Sequence, residues 1–112
     1  MKVDETPYRT LRKIQLSEEK VPLLTKIDKN FYSQISEYQK NPDDLSEREI
    51  QDIERIVSSV YGIREKKIVQ AALSKIRGGK PDLKNMLDEE KKLFDSIVGT
   101  LLQSRKNFVI KD

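Results

Sequence analysis

One stretch of the sequence, residues 46–77, constrains the fold more than any other. It contains no proline, and its one glycine, Gly62, lies inside an otherwise continuous pattern of helical spacing. At about 1.5 Å per residue, a helix of this length extends for roughly 45 Å. A compact domain of this chain length has a diameter of only about 34 Å. We therefore expect either an elongated fold or a helix that is partly buried by another chain.

Both ends of this long helix are marked in the sequence. Ser46 and Glu49 have the spacing of a capping box, in which each side chain satisfies a backbone N–H group of the other residue. Leu45 and Ile50 are spaced to form the hydrophobic contact that often accompanies such a cap. The glycine pair at residues 78–79 is typical of a helix end, because glycine adopts the left-handed conformation without strain.

Three shorter helices are predicted around the long one. The first begins after Thr6, with Pro7 at its first position, and ends before Pro22. Another begins at Asp28, whose carboxylate can cap free N–H groups, and the last spans about residues 88–104. Apolar positions recur in all four helices every three or four residues. We therefore predict an all-α fold, an elongated bundle of about four helices built around one long helix, with no β domain within this chain.

The composition argues against catalysis. Charged residues make up 37% of the chain and hydrophobic residues 36%, so we expect a narrow core built from helix stripes. The sequence has no histidine and no cysteine, which removes the commonest general base, the thiolate nucleophile and the usual zinc ligands. We predict that the protein is not an enzyme and that it binds no cofactor and no metal.

Two groups of carboxylates, at residues 43–44 and 88–90, leave a magnesium or calcium site formally open. A turn and the acidic first turn of a helix explain them better. The segment at residues 78–80, Gly-Gly-Lys, shares part of a phosphate-binding loop, but it lacks the upstream glycine and the following Ser or Thr. We interpret all three segments as structural.

The same composition indicates where the protein resides. The absence of cysteine favours an intracellular protein. No apolar run approaches membrane-spanning length, and the polar residues 1–5 do not resemble a signal peptide. We expect a cytoplasmic protein that makes no membrane contact.

A charged tetrad at residues 64–67 interrupts the apolar stripe of the long helix. Within it, Arg64 and Lys67 continue the stripe instead of lying opposite it. Long basic side chains can lay their stems on apolar surface and carry their charge to an acidic partner. A solvated face and an ion pair, either between helices or between subunits, both remain open. We predict that a protein interface is formed here by Tyr61, Arg64, Lys67, Ile68 and Leu73.

Basic residues near both ends of the chain provide a second candidate site, a nucleic-acid surface. Its members are Arg9, Arg12, Lys13, Arg105 and Lys106. They would lie close together if the first and last helices packed against each other. The net charge of +3 is small, and no aromatic platform interleaves with these residues, so scattered solubilising charge is the simpler interpretation. A small helical nucleic-acid-binding module is therefore the alternative function.

Several short segments resemble the helical A domain of GINS subunits, most closely archaeal subunits of the Sld/Psf type, in which this domain comes first. Asp28, followed by the Phe-Tyr pair at residues 31–32, is similar to the Asp-Phe-Tyr-like element that opens a helix in that family, although two residues separate them here. Arg64, Lys67 and Ile68 match the Arg-x-x-Lys-Ile element of the family's long helix.

A further segment, residues 86–94, resembles the acidic start of the family's last A-domain helix. The resemblance therefore covers nearly the whole chain. It implies a helical A-type domain over residues 1–107. Residues 108–112 would be a tail or the start of a linker to a C-terminal domain that this chain lacks.

The resemblance also implies a function. GINS is a tetramer of helical, non-catalytic subunits that acts as a scaffold in DNA replication. It associates with the MCM helicase and a Cdc/RecJ-like partner at the fork, and links them to primase and polymerase. The implied partners are sister GINS subunits, in a homo- or heterotetramer, and the implied location is nucleoid-associated.

Overall fold

The fold is an elongated arrangement of four α-helices. The computed structural model describes residues 7–40 and 46–108 of the chain. The helices are α1 (Pro7–Lys20), α2 (Phe31–Lys40), α3 (Glu47–Ile76) and α4 (Asp88–Phe108), and no strand occurs in the described residues. The molecule measures 59 × 24 × 19 Å, with a radius of gyration of 17.1 Å. The predicted all-α, elongated fold built around one long helix is confirmed.

Helix α3 begins and ends where the sequence indicates. The Ser46 hydroxyl accepts a hydrogen bond from the Glu49 N–H at 3.1 Å, and the Glu49 carboxylate accepts one from the Ser46 N–H at 2.9 Å. At the other end the Gly79 N–H donates to the carbonyl of Ser74, and the Gly78 N–H to that of Lys75. These two bonds form a Schellman motif, which satisfies the last free carbonyls of the helix. The predicted contact of Leu45 lies outside the described residues.

The shorter helices differ from the prediction at their boundaries. Helix α2 begins at Phe31 and not at Asp28. The Asp28 carboxylate accepts from the Asn30 N–H at 2.7 Å, so it closes a turn ahead of the helix. The carbonyl of Asn30 accepts the first helical hydrogen bond, from Gln34. Helix α4 continues four residues past Ser104, to Phe108.

Two separate apolar clusters form the core, one along each half of α3. The first is built from α1, α2, the first half of α3 and the residue that precedes α4: Leu11, Phe31, Ile35, Ile53, Ile56, Val60 and Leu87. The second is built from the α1–α2 loop, the second half of α3 and α4: Leu24, Ile68, Ala72 and Phe94. Helix α3 is therefore the spine that both clusters share.

Helix α4 runs parallel to α3. Near its start Glu90 contacts Arg64, at the middle of α3, and near its end the Arg105 guanidinium donates to the carbonyl of Ile76 at 3.0 Å. The loop at residues 77–87 carries the chain back from the end of α3 to its middle. This return explains how a helix that follows α3 in sequence covers the second half of α3.

The second half of α3 is consequently buried by the chain itself. The side chains of Ile68 and Ala72 are 1% and 0% exposed, and Phe94 of α4 packs in the same cluster. In the sequence analysis, Ile68 was placed in an interface with another protein. That expectation is corrected for this buried position, because α4 lies alongside it.

Replacing Gly78, just after α3, and Gly62, within it, by alanine should change the stability of the protein in opposite directions. Gly78 has a φ of +93°, so an alanine there is strained, and we expect Gly78→Ala to lower the free energy of unfolding by about 1 kcal/mol. Gly62 lies within α3, and in the described part of the chain an added Cβ would meet no atom within 4 Å beyond the neighbouring backbone of its own helix, so Gly62→Ala should raise stability by roughly 0.5–1 kcal/mol. Urea unfolding of both variants measures this. If the free energy of unfolding changes with the same sign in both variants, the assigned helix end is contradicted.

Candidate functional site

Arg64 occupies a position in the core stripe of α3. The buried residues of this helix, spaced three or four apart, are Ile53, Ile56, Val60, Arg64, Ile68 and Ala72. All are apolar except Arg64, which is 0% exposed. A buried charge is costly unless it is paired and hydrogen-bonded, so the surroundings of Arg64 must compensate for it.

All five N–H groups of Arg64 are hydrogen-bonded. The Nε group and one N–H of Nη2 bind the two carboxylate oxygens of Glu90, at 2.6 and 2.7 Å. One N–H of Nη1 binds Glu18 at 2.9 Å, and the remaining two bind the carbonyls of Thr25 and Asn85 at 2.9 and 3.0 Å. Burial disfavours the charged form, but the bonds to Glu90 and Glu18 prevail and raise the pKa of Arg64 above its ordinary value.

Glu90 links this arginine to the start of α4. Its Oε1 accepts the N–H of Leu87 at 2.9 Å and thus caps the helix, while its Oε2 accepts the hydroxyl of Tyr32 at 2.8 Å. Burial alone would raise the pKa of Glu90, but the bonds from Arg64, Leu87 and Tyr32 outweigh it and lower the pKa below 4.5. Burial and the bond to Glu90 raise the pKa of Tyr32.

Glu18 links the same arginine to the end of α1. Its carboxylate also accepts the N–H and the hydroxyl of Thr25, at 3.2 and 2.7 Å, and the ammonium of Lys67 at 2.7 Å. The other two N–H groups of Lys67 bind the carbonyls of Glu18 and Leu23. Burial would raise the pKa of Glu18, but the bonds from Lys67, Thr25 and Arg64 lower it below 4.5.

We call these four side chains, Glu18, Arg64, Lys67 and Glu90, the ion network. Its two cations and two carboxylates balance in charge. Among the described residues, every buried side-chain nitrogen and oxygen has a hydrogen-bond partner. The network therefore joins α1, α3, α4 and the two loops beside them at one point, the middle of the spine.

The predicted interface residues occupy different environments. Arg64 and Ile68 are buried within the chain, and the Lys67 side chain is 11% exposed. Of the alternatives left open for Arg64 and Lys67, the structure shows ion pairing between helices. Tyr61 is 45% exposed, and Leu73 is half-buried outside both core clusters. A role of these residues in binding a partner stays a prediction.

The predicted nucleic-acid residues do not form one group. Arg9, Arg12 and Lys13 belong to α1, where Leu11 packs against the first half of α3. Residues 105–106 lie at the end of α4, beside Ile76. Leu11 clusters with Ile53, Ile56 and Val60, whereas Arg105 contacts the last residue of α3, so the two groups lie along different halves of this helix. The end helices therefore do not bring them together.

The sequence analysis missed the two carboxylates of the network. Glu18 lies on the face of α1 that also carries Leu11 and Gln15, at helical spacing from both, and this position could have indicated burial. Glu90 precedes Phe94 by four residues on the buried face of α4. Neither signal identifies Arg64 as the common partner, since that depends on the parallel packing of α4.

The described residues contain no group of three or more histidine, cysteine, aspartate or glutamate side chains that could hold a metal ion. Of the carboxylates weighed for such a site, residues 43–44 lie outside the described part of the chain, and Glu90 is committed to the ion network. None of the described helices is long and apolar enough to cross a membrane.

The fold and the network define an elongated all-α domain organised around one buried arginine. The family model of the GINS complex subunit Psf2/Psf3-like N-terminal domain matches residues 8–112, so the chain belongs to this GINS family. The resemblance seen in the sequence is thereby confirmed, and the chain is a subunit of the GINS complex of DNA replication. Comparison with curated proteins gives no significant match, and neither does comparison with solved structures.

Removing the arginine should be far more costly than removing an exposed one. Arg64→Met leaves the buried carboxylates of Glu18 and Glu90 without their shared cation, so we expect a loss of about 3–5 kcal/mol in the free energy of unfolding. Arg55→Met is the matched control, because the Arg55 side chain is 75% exposed and pairs with the neighbouring Asp52. It should change stability by no more than about 0.5 kcal/mol. Equal losses in urea unfolding would contradict the central position of Arg64.

The network should also make stability fall in acid. In the folded state the pKa values of Glu18 and Glu90 lie below 4.5, their ordinary value in the unfolded chain. Their contribution is therefore complete above about pH 5 and is lost as the pH falls through the lower folded values. Urea midpoints measured from pH 7 to pH 3 should decline in the native chain and decline less in Glu18→Gln. Parallel pH profiles for the two proteins would contradict this.

Proposed function

We propose that the chain is a non-catalytic scaffold subunit that binds a sister GINS subunit through a groove between α3 and α4. One observation carries this proposal. Two clefts, of about 430 and 220 Å³, adjoin along these parallel helices and share Glu65 and Leu93 in their walls. The larger is lined by the apolar side chains of Val69, Leu93 and Ile97, and Tyr61 stands exposed at the smaller.

Such a groove fits an amphipathic helix of a second subunit. Helix-in-groove binding uses apolar anchors spaced along one helix face, and an elongated furrow between two parallel helices accepts them. Exposed aromatic side chains such as Tyr61 are frequent anchors of protein interfaces. Ile68 lies in the floor of the smaller cleft, while Arg64 binds Glu90, in the α4 wall of the cleft, from within.

The wider assembly follows from the family. As a GINS scaffold, the subunit would associate at the replication fork with the MCM helicase and a Cdc/RecJ-like partner, and would link them to primase or polymerase. It would then act in the cytoplasm on the nucleoid. Whether the tetramer is built from copies of this chain or from two kinds of subunit is decided by the mass of the purified complex, measured by light scattering.

Tyr61 should be needed for subunit association and dispensable for folding. We expect Tyr61→Asp to weaken co-purification with a co-expressed sister subunit at least tenfold, because it places a charge in an apolar contact. Tyr8→Asp is the matched control, since Tyr8 is 39% exposed on α1, away from the groove. Thermal unfolding of each variant separates a loss of binding from a loss of fold. Unchanged co-purification of Tyr61→Asp would contradict this surface.

A second candidate function, DNA contact, is favoured by the charge at one end of the molecule. The ends of α3 and α4 lie side by side there. These ends and the first residues of the loop after α3 carry five basic residues: Lys75, Arg77, Lys80, Arg105 and Lys106. No acidic residue occurs between positions 66 and 81 or between positions 96 and 108. A concentration of positive charge of this kind attracts phosphate groups.

The structure separates this basic end from the basic residues of α1, and two charge reversals distinguish them. If the basic end binds DNA, the Lys75→Glu, Lys80→Glu and Lys106→Glu triple variant should lose binding at low salt. The Arg9→Glu, Arg12→Glu and Lys13→Glu triple variant should then retain it. Native binding should weaken steeply with salt as counterions are released. Fluorescence anisotropy with a short duplex measures both. If the native chain does not bind DNA at 50 mM salt, this candidate function is eliminated.

A further inference from the structure

The smaller of the two clefts has an aromatic wall that is held rigidly. Tyr32 and Tyr61 face each other edge to face, with ring centroids 6.3 Å apart, and Phe31 packs in the same way on Tyr32 at 5.2 Å. The Tyr32 hydroxyl is fixed by its bond to Glu90. Of these three aromatic side chains, Tyr61 is thus the exposed one, and the other two hold its ring in place.

The rim of this cleft carries two carboxylates. Glu65 of α3 and Glu89 of α4 both line the cleft and both are exposed. Within the described residues neither has a hydrogen bond or an ion pair. Glu90, beneath them, is committed to Arg64, and no lysine or arginine of the described chain lines this cleft, while Lys66 lines the adjoining one. The opening is therefore apolar in its walls and negative at its rim.

The volume limits what can enter. At about 220 Å³ the cleft is smaller than the roughly 300–1,000 Å³ that is typical of small-molecule sites. It suits one long side chain better than a metabolite. The apolar floor formed by Ile68 and Leu93 can take the aliphatic stem of such a side chain, and the rim can take a positive charge at its end.

We propose that this cleft receives an arginine side chain of the sister GINS subunit. The guanidinium lies over the ring of Tyr61 and between the carboxylates of Glu65 and Glu89. Arginine fits better than lysine, because its planar group stacks on an aromatic ring and donates to two carboxylates at once. This inference rests on the proposed docking of a sister subunit in the α3–α4 groove, and adds the chemistry that selects the partner.

The test measures binding of the full chain to its co-expressed and purified sister subunit by calorimetry at 50 and 300 mM salt. The variant is Glu65→Gln with Glu89→Gln, which keeps the shape of the rim and removes its charge. The control is Glu19→Gln with Glu54→Gln, two exposed glutamates that line neither cleft and form no pair within the described residues. Thermal unfolding should be the same for all three proteins.

We expect the rim variant to bind at least tenfold more weakly at 50 mM salt, and to lose most of its salt dependence. The control should bind within twofold of the native chain. Each arginine of the sister subunit is then replaced in turn by methionine. For the arginine that enters the cleft, the replacement should weaken binding to the native chain and leave binding to the rim variant unchanged. That absence of additivity shows that the arginine and the rim act together.

Three results would overturn the proposal, and they separate it from the proposed function. If the rim variant binds the sister subunit with native affinity, the proposal that an arginine enters the cleft is refuted, and the proposed docking in the groove still stands. Absence of any association between native chain and sister subunit would refute both. Self-association of the chain that depends on Glu65 and Glu89 would make a second copy the occupant, and would contradict the assignment to a different subunit.

Discussion

The fold depends on a single guanidinium group buried in the middle of its longest helix. Arg64 interrupts an apolar stripe, so its charge must be compensated by groups that other elements supply. Glu18 comes from the end of α1, Glu90 from the start of α4, and two carbonyls from the loops between helices. Each partner can reach Arg64 only if its element is in place. One side chain therefore specifies the relative positions of all the elements around it, which is the better-attested role of buried ionic groups.

This arrangement connects stability with the proposed binding surface. The network fixes α4 parallel to the second half of α3, and the groove between these helices exists only in that register. Tyr32 contributes to both, because its hydroxyl binds Glu90 while its ring supports Tyr61. The two apolar clusters stabilise each half of the spine, and the network joins them. A subunit of a complex benefits from such a rigid surface, since less conformational entropy is lost on association.

The sequence predicts the local structure well and the packing poorly. The limits of α3 follow from a capping box and a glycine pair, which act within a few residues, and the helical spacing of apolar residues indicates each helix. The start of α2 was predicted three residues early, because Asp28 can cap a turn as well as a helix. Arg64 was recognised as unusual since it continues an apolar stripe. Its partners were not found, because Glu18 and Glu90 are 46 and 26 residues away and meet it only in the folded chain. For the same reason, Ile68 was predicted to be buried by a partner chain, whereas α4 buries it.

The most direct test of the central position of Arg64 is the exchange of its guanidinium protons with water, observed by nuclear magnetic resonance at neutral pH. Arg55, which is exposed, provides the internal reference. If all five N–H groups of Arg64 are held by buried partners, its Nε and Nη protons should give separate resonances and exchange at least a hundredfold more slowly than those of Arg55. Averaged Nη resonances and an exchange rate equal to that of Arg55 would show an arginine in water, and would contradict the account.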